Sequence, residues 1–592
     1  MQYVTFFRGG TLVSLNPGRV EQADLVVSDG RIVKKGGRLT PPAGAEIVDV
    51  RGRIILAGLV DAHVELPAAY AAVLPDVDAA TLENAQTAES VVCAVFAAAL
   101  EAVRAGVTTL VVRNISPTCA EGSLTRVRDV LATLGIRFAA SYGASDLTLA
   151  TGGADGLVEA RMAAAFGAAP RMRYLLGAAP LGRVSDGLLA ALADLSRKSQ
   201  AAPHVSVGFD GATPESAHAE LERLFAAGFV WTGGVVVCGS AVSSEDMTLV
   251  RGHGATPVVL PQSAASGGRV FQPGNAIGTG AGRPDLFEAL RTAVAVAEAG
   301  GRGPTADEAT ALLGGGQALA SKLFGMPFGT LDPGAPADLV VLDYRPASPL
   351  TDETASRHVL HGMSAAHVQH VLVDGRVVLR DRAFHRLETG RLARQLQRGG
   401  LDLVMRATSA AFPGADRERD EDLVQELRED RSSVGPVRST AEAHVEFEVL
   451  PAEDAAEEPW RIRGNDRGSD SDALARTLPP LRALRHQPAV PVLVPEPVAA
   501  APIAAAATPK AGGRGRRGAA APAERTERTE RGERSERAER ADRNERTEKI
   551  DPAAEIAAPP PASIRTEPAV EPSTPPAEPP APPADPFGVG ID

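Results

Sequence analysis

Few side chains in this chain could do chemistry. Between residues 58 and 324 the imidazoles are His63, His204, His218 and His253. His218 falls in mid-helix text and His253 in a Gly252–Gly254 turn, so both read as solvent-facing. Three cysteines, Cys93, Cys119 and Cys238, are too few for a disulfide framework or a four-Cys zinc site. Cys238 lies in a run with the pattern of a buried strand and Cys93 in apolar helical text, and both read as small core residues. Neither a Gly-x-Ser-x-Gly elbow nor a Gly-x-x-x-x-Gly-Lys-Ser phosphate loop occurs. The Gly-rich stretch at 266–282 reads as strand-end loops.

The elements that must position these residues are legible. Buried strands are expected near 55–61, 107–112, 136–141, 172–177, 204–209, 234–239, 256–260 and 275–279. Helical periodicity fills 83–104, 122–134, 156–167, 185–198, 214–227, 243–252, 284–299 and 305–323. Apolar strands alternating with helices imply a parallel sheet covered on both faces, and eight of them suggest a closed (β/α)8 barrel, with an open doubly wound sheet as runner-up. β-rich text lies on both sides: Asp29-Gly30 and Asp374-Gly375 are hairpin signals. The expected architecture is α/β. A TIM-like barrel (58–324) is inserted in a small β-sandwich domain built from 1–57 and 325–395, followed by a terminal helix at 396–410.

Composition changes near residue 410. Roughly half of the 46 prolines fall beyond it. Segments 495–510 and 567–586 carry too little large apolar surface to offset the entropy of ordering, so 411–592 reads as a disordered low-complexity tail. Within it, Glu524 to Ile550 runs as acid–base triplets with no apolar seam, a solvated spacer or charge-mediated docking segment, and Gly512 to Gly518 is a small basic patch. The net charge of −13 disfavours general nucleic-acid binding. No apolar run has membrane-span length, and the start lacks signal-peptide features, so a cytoplasmic location is expected.

Residues 49–66 (DVRGRIILAGLVDAHVEL), 106–111 (GVTTLV), 329–343 (GTLDPGAPADLVVLD) and 368–378 (VQHVLVDGRVV) resemble, in the right order, landmarks of the amidohydrolase superfamily in its branch of cytosine and guanine deaminases and chlorohydrolase-like enzymes. The resemblance covers roughly residues 1–400. It implies one or two divalent metals, zinc or iron, at the C-terminal ends of the barrel strands, generating a hydroxide that attacks a C–N bond.

The same resemblance locates the ligand positions, and they are depleted. The strand-one His-x-His reads His63-Val64-Glu65. On strand five the ligand position falls on Ser206, two residues after His204, and the acid's position on Phe209. Strand six places Val237, and a His-Asn-Pro-x-Ser element falls on 259–263. Strand eight, where Gly-Thr-Asp belongs, reads Gly278-Thr279-Gly280. Asp61 matches a family Asn or Asp that shapes the strand end. The residual metal candidates are His63, Glu65, His204 and Cys238.

The favoured expectation is a divergent amidohydrolase-related protein without a metal cofactor or catalytic residues, serving as a non-catalytic subunit, scaffold or ligand sensor. One rival is a metal-dependent hydrolase or deaminase of non-peptide C–N bonds with a rearranged site. The other is an inert head carrying a functional interaction tail. The partners to consider are a protein on the tail, a small molecule in the barrel mouth and a second copy of the chain. Neither a membrane nor nucleic acid is expected.

Overall fold

A computed structural model of the chain describes residues 4–411, apart from 16, 67–69, 71–76, 147–154, 166–167, 210, 267–269, 302, 386 and 388. The expected tail, with its basic patch and charged triplets, lies outside the described residues.

Eight parallel strands form the barrel: Leu59–Leu66, Val107–Asn114, Arg137–Ala144, a fourth in two pieces (Met172–Tyr174 and Leu176–Ala178), Pro203–Val207, Val235–Cys238, Thr256–Val259 and Ala276–Ile277. The eighth meets the first through the backbone: Gly280 N donates to His63 O at 2.8 Å and Glu65 N to Gly280 O at 3.0 Å. Glycine permits this approach, since a Cβ on Gly278 would lie 2.7 Å from the His63 nitrogen. Strand residues alternate between two surroundings, as a period of two requires. Val111, Ala139, Val235, Val237, Val258 and Ala276 fill the interior, while Val112, Ala140, Val236 and Cys238 join the core beneath the helices; strand one departs from the alternation through a register shift between Asp61 and Val64.

The helices start where the local chemistry says they should. Thr87, Thr213, Ser243 and Thr305 each form a capping box at a helix N-terminus, and Gly135, Gly228 and Gly325 end helices in the left-handed conformation. The expected helix at 83–104 is two helices, Ala79–Asn84 and Ala88–Arg104, because Thr87 caps the second. The expected first strand at 55–61 is also divided: Ile54–Ala57 belongs to the flanking sheet and Leu59–Leu66 to the barrel. Gly58 joins them, packed so closely on Thr108 that a Cβ would overlap its hydroxyl.

The flanking β-domain is built from both ends of the head. One nine-stranded sheet takes five strands from Val4–Ala57 and four from Leu339–Phe384, joined where Ile54–Ala57 runs antiparallel to Leu339–Leu342. It curls until Ile32 exchanges backbone hydrogen bonds with Gly334 and Ala335, giving a sandwich-like body around Phe7, Leu25, Ile55, Leu339 and Leu372. The two Asp-Gly turns both adopt positive φ and touch each other at Gly30 and Gly375. Beside them, fully buried Arg137 donates to Asp338 at 2.8 and 3.0 Å and lies against the rings of Phe324 and Phe328, tying barrel to sheet.

The last helix, Thr389–Ala411, begins earlier than the expected 396. Its Leu403 and Ala407 pack with Leu82, and Gly399 sits directly on Cys93. No helix among the described residues is long and apolar enough to cross a membrane.

Candidate functional site at the mouth of the barrel

Strands one, two, three and five each send a polar side chain into the upper barrel. His63 and His204, both fully buried, meet edge to face with Nδ1 of His63 2.9 Å from Nε2 of His204. The other nitrogen of His63, Nε2, lies 3.1 Å from Glu65 Oε1. The other nitrogen of His204, Nδ1, lies 2.8 Å from the Ser141 hydroxyl. At the C-terminal end of strand two, Arg113 donates through one terminal nitrogen to Glu65 Oε1 and through the other to Ser206 Oγ at 2.5 Å.

One arrangement of protons satisfies the chain. Glu65 is a carboxylate, held by the permanently charged guanidinium, so it accepts from His63 Nε2–H. His63 Nδ1 is then the acceptor of a neutral ring and takes the proton of His204 Nε2–H. His204 Nδ1 in turn accepts from Ser141 O–H. Both rings titrate accordingly. Burial lowers His63, against the opposing hydrogen bond to Glu65. Burial drives His204 well below the ordinary imidazole range, with His63 and Arg113 adding to the effect. For Glu65, burial works upward, but Arg113 and His63 outweigh it and hold the carboxyl well below the usual carboxylate range. Only Glu65 opens toward solvent, its side chain 32 % exposed.

Asp61 lies below this chain and serves the barrel seam. Its Oδ1 accepts from the backbone N–H groups of Thr279 at 3.0 Å and His63 at 3.3 Å, while the Thr279 hydroxyl lies 2.6 Å from Oδ2. Burial raises its carboxyl to about 7 despite these bonds.

Strands six to eight supply an apolar half. Val237 is buried in the barrel interior, and Leu260 and Phe209 pack on the same cluster. Gly280 has φ +58°, and a Cβ there would lie 2.9 Å from a Leu260 methyl carbon. The segment at 259–263 carries no imidazole; its Ser263 hydroxyl donates to Cys238 O at 2.7 Å.

Of the four residues offered as metal candidates, His63, Glu65 and His204 come together. Cys238 does not: it lies on the helix-facing side of strand six, and burial pushes its thiol up to about 12. His218 is half-exposed and pairs with Asp246 at 2.7 Å, and His253 is exposed and stacks on Phe225. Among the described residues no three His, Cys, Asp or Glu side chains are grouped to hold a metal ion. Arg113 and Ser141 escaped the sequence reading. The signal for Arg113 was present, a charged residue next to the end of the VTTLVVRN strand.

No protein-family profile matches the chain. A 5'-deoxyadenosine deaminase from Methanosarcina mazei is 22% identical over 422 residues, 66% of this chain and 96% of that protein. A dihydroorotase from Pelotomaculum thermopropionicum is 39% identical over 59 residues, so the match spans 10% of this chain and only 14% of that relative's length. Among solved structures, a zinc-bound adenosine deaminase from Xanthomonas campestris superposes with TM-score 0.56 at 18% identity, over 67% of this chain and 98% of that one. A mutant atrazine chlorohydrolase from Arthrobacter aurescens, in complex with zinc and atraton, gives 0.57 at 17% identity over 67% and 100%. The structural likenesses establish the fold. Taken with the relative that matches the whole head and with the order of the sequence landmarks, they indicate the amidohydrolase superfamily.

Proposed function

We propose that this protein is a non-catalytic amidohydrolase-superfamily member whose barrel serves as a subunit, scaffold or ligand sensor without a metal-generated hydroxide. One observation carries the reading: the strand-eight position offers no carboxylate. Gly280 stands there, and Leu260 packs over it, a methyl carbon 2.9 Å from where a Cβ would lie. The remaining donors do not fit a divalent ion either. Metal ligands must converge on one point, and the two nitrogens of His63 serve partners on opposite sides. Ser206 and Val237 offer neither imidazole nor carboxylate at their strand ends.

A second reading, a hydrolase with a rearranged site, draws support from the contact of His63 with both Glu65 and His204. The amidohydrolase-type deaminases among its relatives favour an enzyme as well. Turnover decides between them. Purified full-length protein, supplied with zinc or iron, is tested for release of ammonia from cytosine, guanine and adenosine-type compounds. The non-catalytic reading expects none above background. Release that disappears in His63→Ala would establish the rival.

A further inference from the structure

The side chain best placed to explain why this barrel coheres is one that the ligand positions do not include. Arg113 is the next-to-last residue of strand two, with its side chain 5 % exposed. Its guanidinium lies between Glu65 on strand one and Ser206 on strand five, bonded to both. Those are two positions from which metal ligands are expected to reach inward. A divalent cation placed there would neutralise the carboxylate and cross-link strands. The guanidinium does both. Its planar fork donates to two acceptors at once.

The influence of this one charge extends inward. By holding Glu65 as an anion it makes His63 Nε2 a donor. That orders the His63–His204–Ser141 chain behind it, so each imidazole nitrogen in the barrel has a partner of the right kind. The third guanidinium nitrogen, Nε, is buried without a protein partner. Two bonds therefore hold the group in place, both to ligand-position residues.

We propose that Arg113 is the resident cation of this barrel, standing between Glu65 and Ser206 in place of a divalent metal and excluding one by its charge. The proposal rests on the metal-free reading above and adds the residue responsible. It predicts a specific reversal. Without the guanidinium, Glu65 becomes an uncompensated, partly exposed carboxylate with His63 Nε2 beside it, and a divalent cation can then take the place of the lost charge.

The test is the effect of zinc on the melting temperature of the full chain, read for wild type, Arg113→Ala, Arg113→Lys and the double variant Arg113→Gln/Glu65→Gln. Wild type is expected to melt at the same temperature with or without zinc. Arg113→Ala should melt several degrees lower and recover part of the loss in zinc, because a ligand bound only by the folded state stabilises by mass action. The double variant, with no charge left to compensate, should melt above Arg113→Ala and ignore zinc. If Arg113→Ala does not fold, Arg113→Lys carries the test: it keeps a cation and should remain indifferent to zinc. The proposal is overturned if Arg113→Ala melts like wild type, if zinc leaves it unmoved, or if Arg113→Lys responds to zinc. A zinc shift in wild type is a different failure, since it removes the metal-free reading itself.

Discussion

His204 donates a hydrogen bond from Nε2 to Nδ1 of His63, 2.9 Å away across the barrel, so the two imidazoles of the barrel interior are partners of each other. Each ring is fully buried and lowered by burial, so both stay neutral where histidine ordinarily begins to charge. This pairing links Ser141, His204, His63 and Glu65 in one chain of hydrogen bonds that reaches the charged contact of Glu65 with Arg113.

The inner end of the set is Ser141. Ser141→Ala leaves His204 Nδ1 buried without a donor. The expected loss is about 1–3 kcal/mol of unfolding free energy, the usual cost of an orphaned buried polar group. Urea denaturation of the two proteins measures it; equal midpoints would mean that the hydroxyl is not the partner of His204.

Asp61 predicts a pH dependence. Its carboxyl is raised on folding to about 7, so between about pH 4 and 7 the native state keeps a proton that the unfolded chain has lost. Stability from this group is therefore greatest in acid, falls as pH rises through that window and levels off above it. At ~1.4 kcal/mol per pKa unit the whole change is up to ~4 kcal/mol. Asp61→Asn fits the same bonds, with its carbonyl facing the two N–H groups and its amide donating to the Thr279 hydroxyl. Relative to Asp61→Asn, wild type should lose stability between pH 4 and 7; parallel stability curves would contradict the assignment.

Much of this architecture was legible because its causes are local. Helical periodicity and continuous apolar strands announce the barrel, and two Asp-Gly turns announce the flanking sheet. The site was legible only in part. His63, Glu65 and His204 could be found by asking which residues might bind metal. Arg113 could not, because a guanidinium is no metal ligand and only the fold brings it to Glu65 and Ser206. Cys238 failed for a simpler reason: on a short strand, one step in the alternation decides between barrel interior and helix layer, and it falls on the helix side.

Arg137 holds barrel and sheet together through Asp338 at complete burial. Arg137→Ala strands that carboxylate, and a loss of about 3–5 kcal/mol is expected, as for other buried pairs broken on one side. Arg137→Ala/Asp338→Ala, which removes both charges, should recover part of it. Additive losses in the two single variants would show that the pair is not coupled.

The tail is expected to be separable from the head. Its Pro- and Ala-rich composition offers little to pack, whereas the helix Thr389–Ala411 is anchored by Leu403 and Ala407. Limited proteolysis should leave a resistant core ending between about 395 and 420. Deleting 412–592 should leave the melting curve of the head unchanged, and a markedly lower melting temperature would show that the tail packs on it.

The central claim is that Arg113, not a metal, is the cation of this barrel. It is tested most directly by the zinc, iron and manganese content of the full-length protein, purified without chelator and measured per chain by elemental analysis. The account predicts well under one metal ion per chain, unchanged in His63→Ala. One tightly held ion per chain in wild type, lost in His63→Ala, would contradict it.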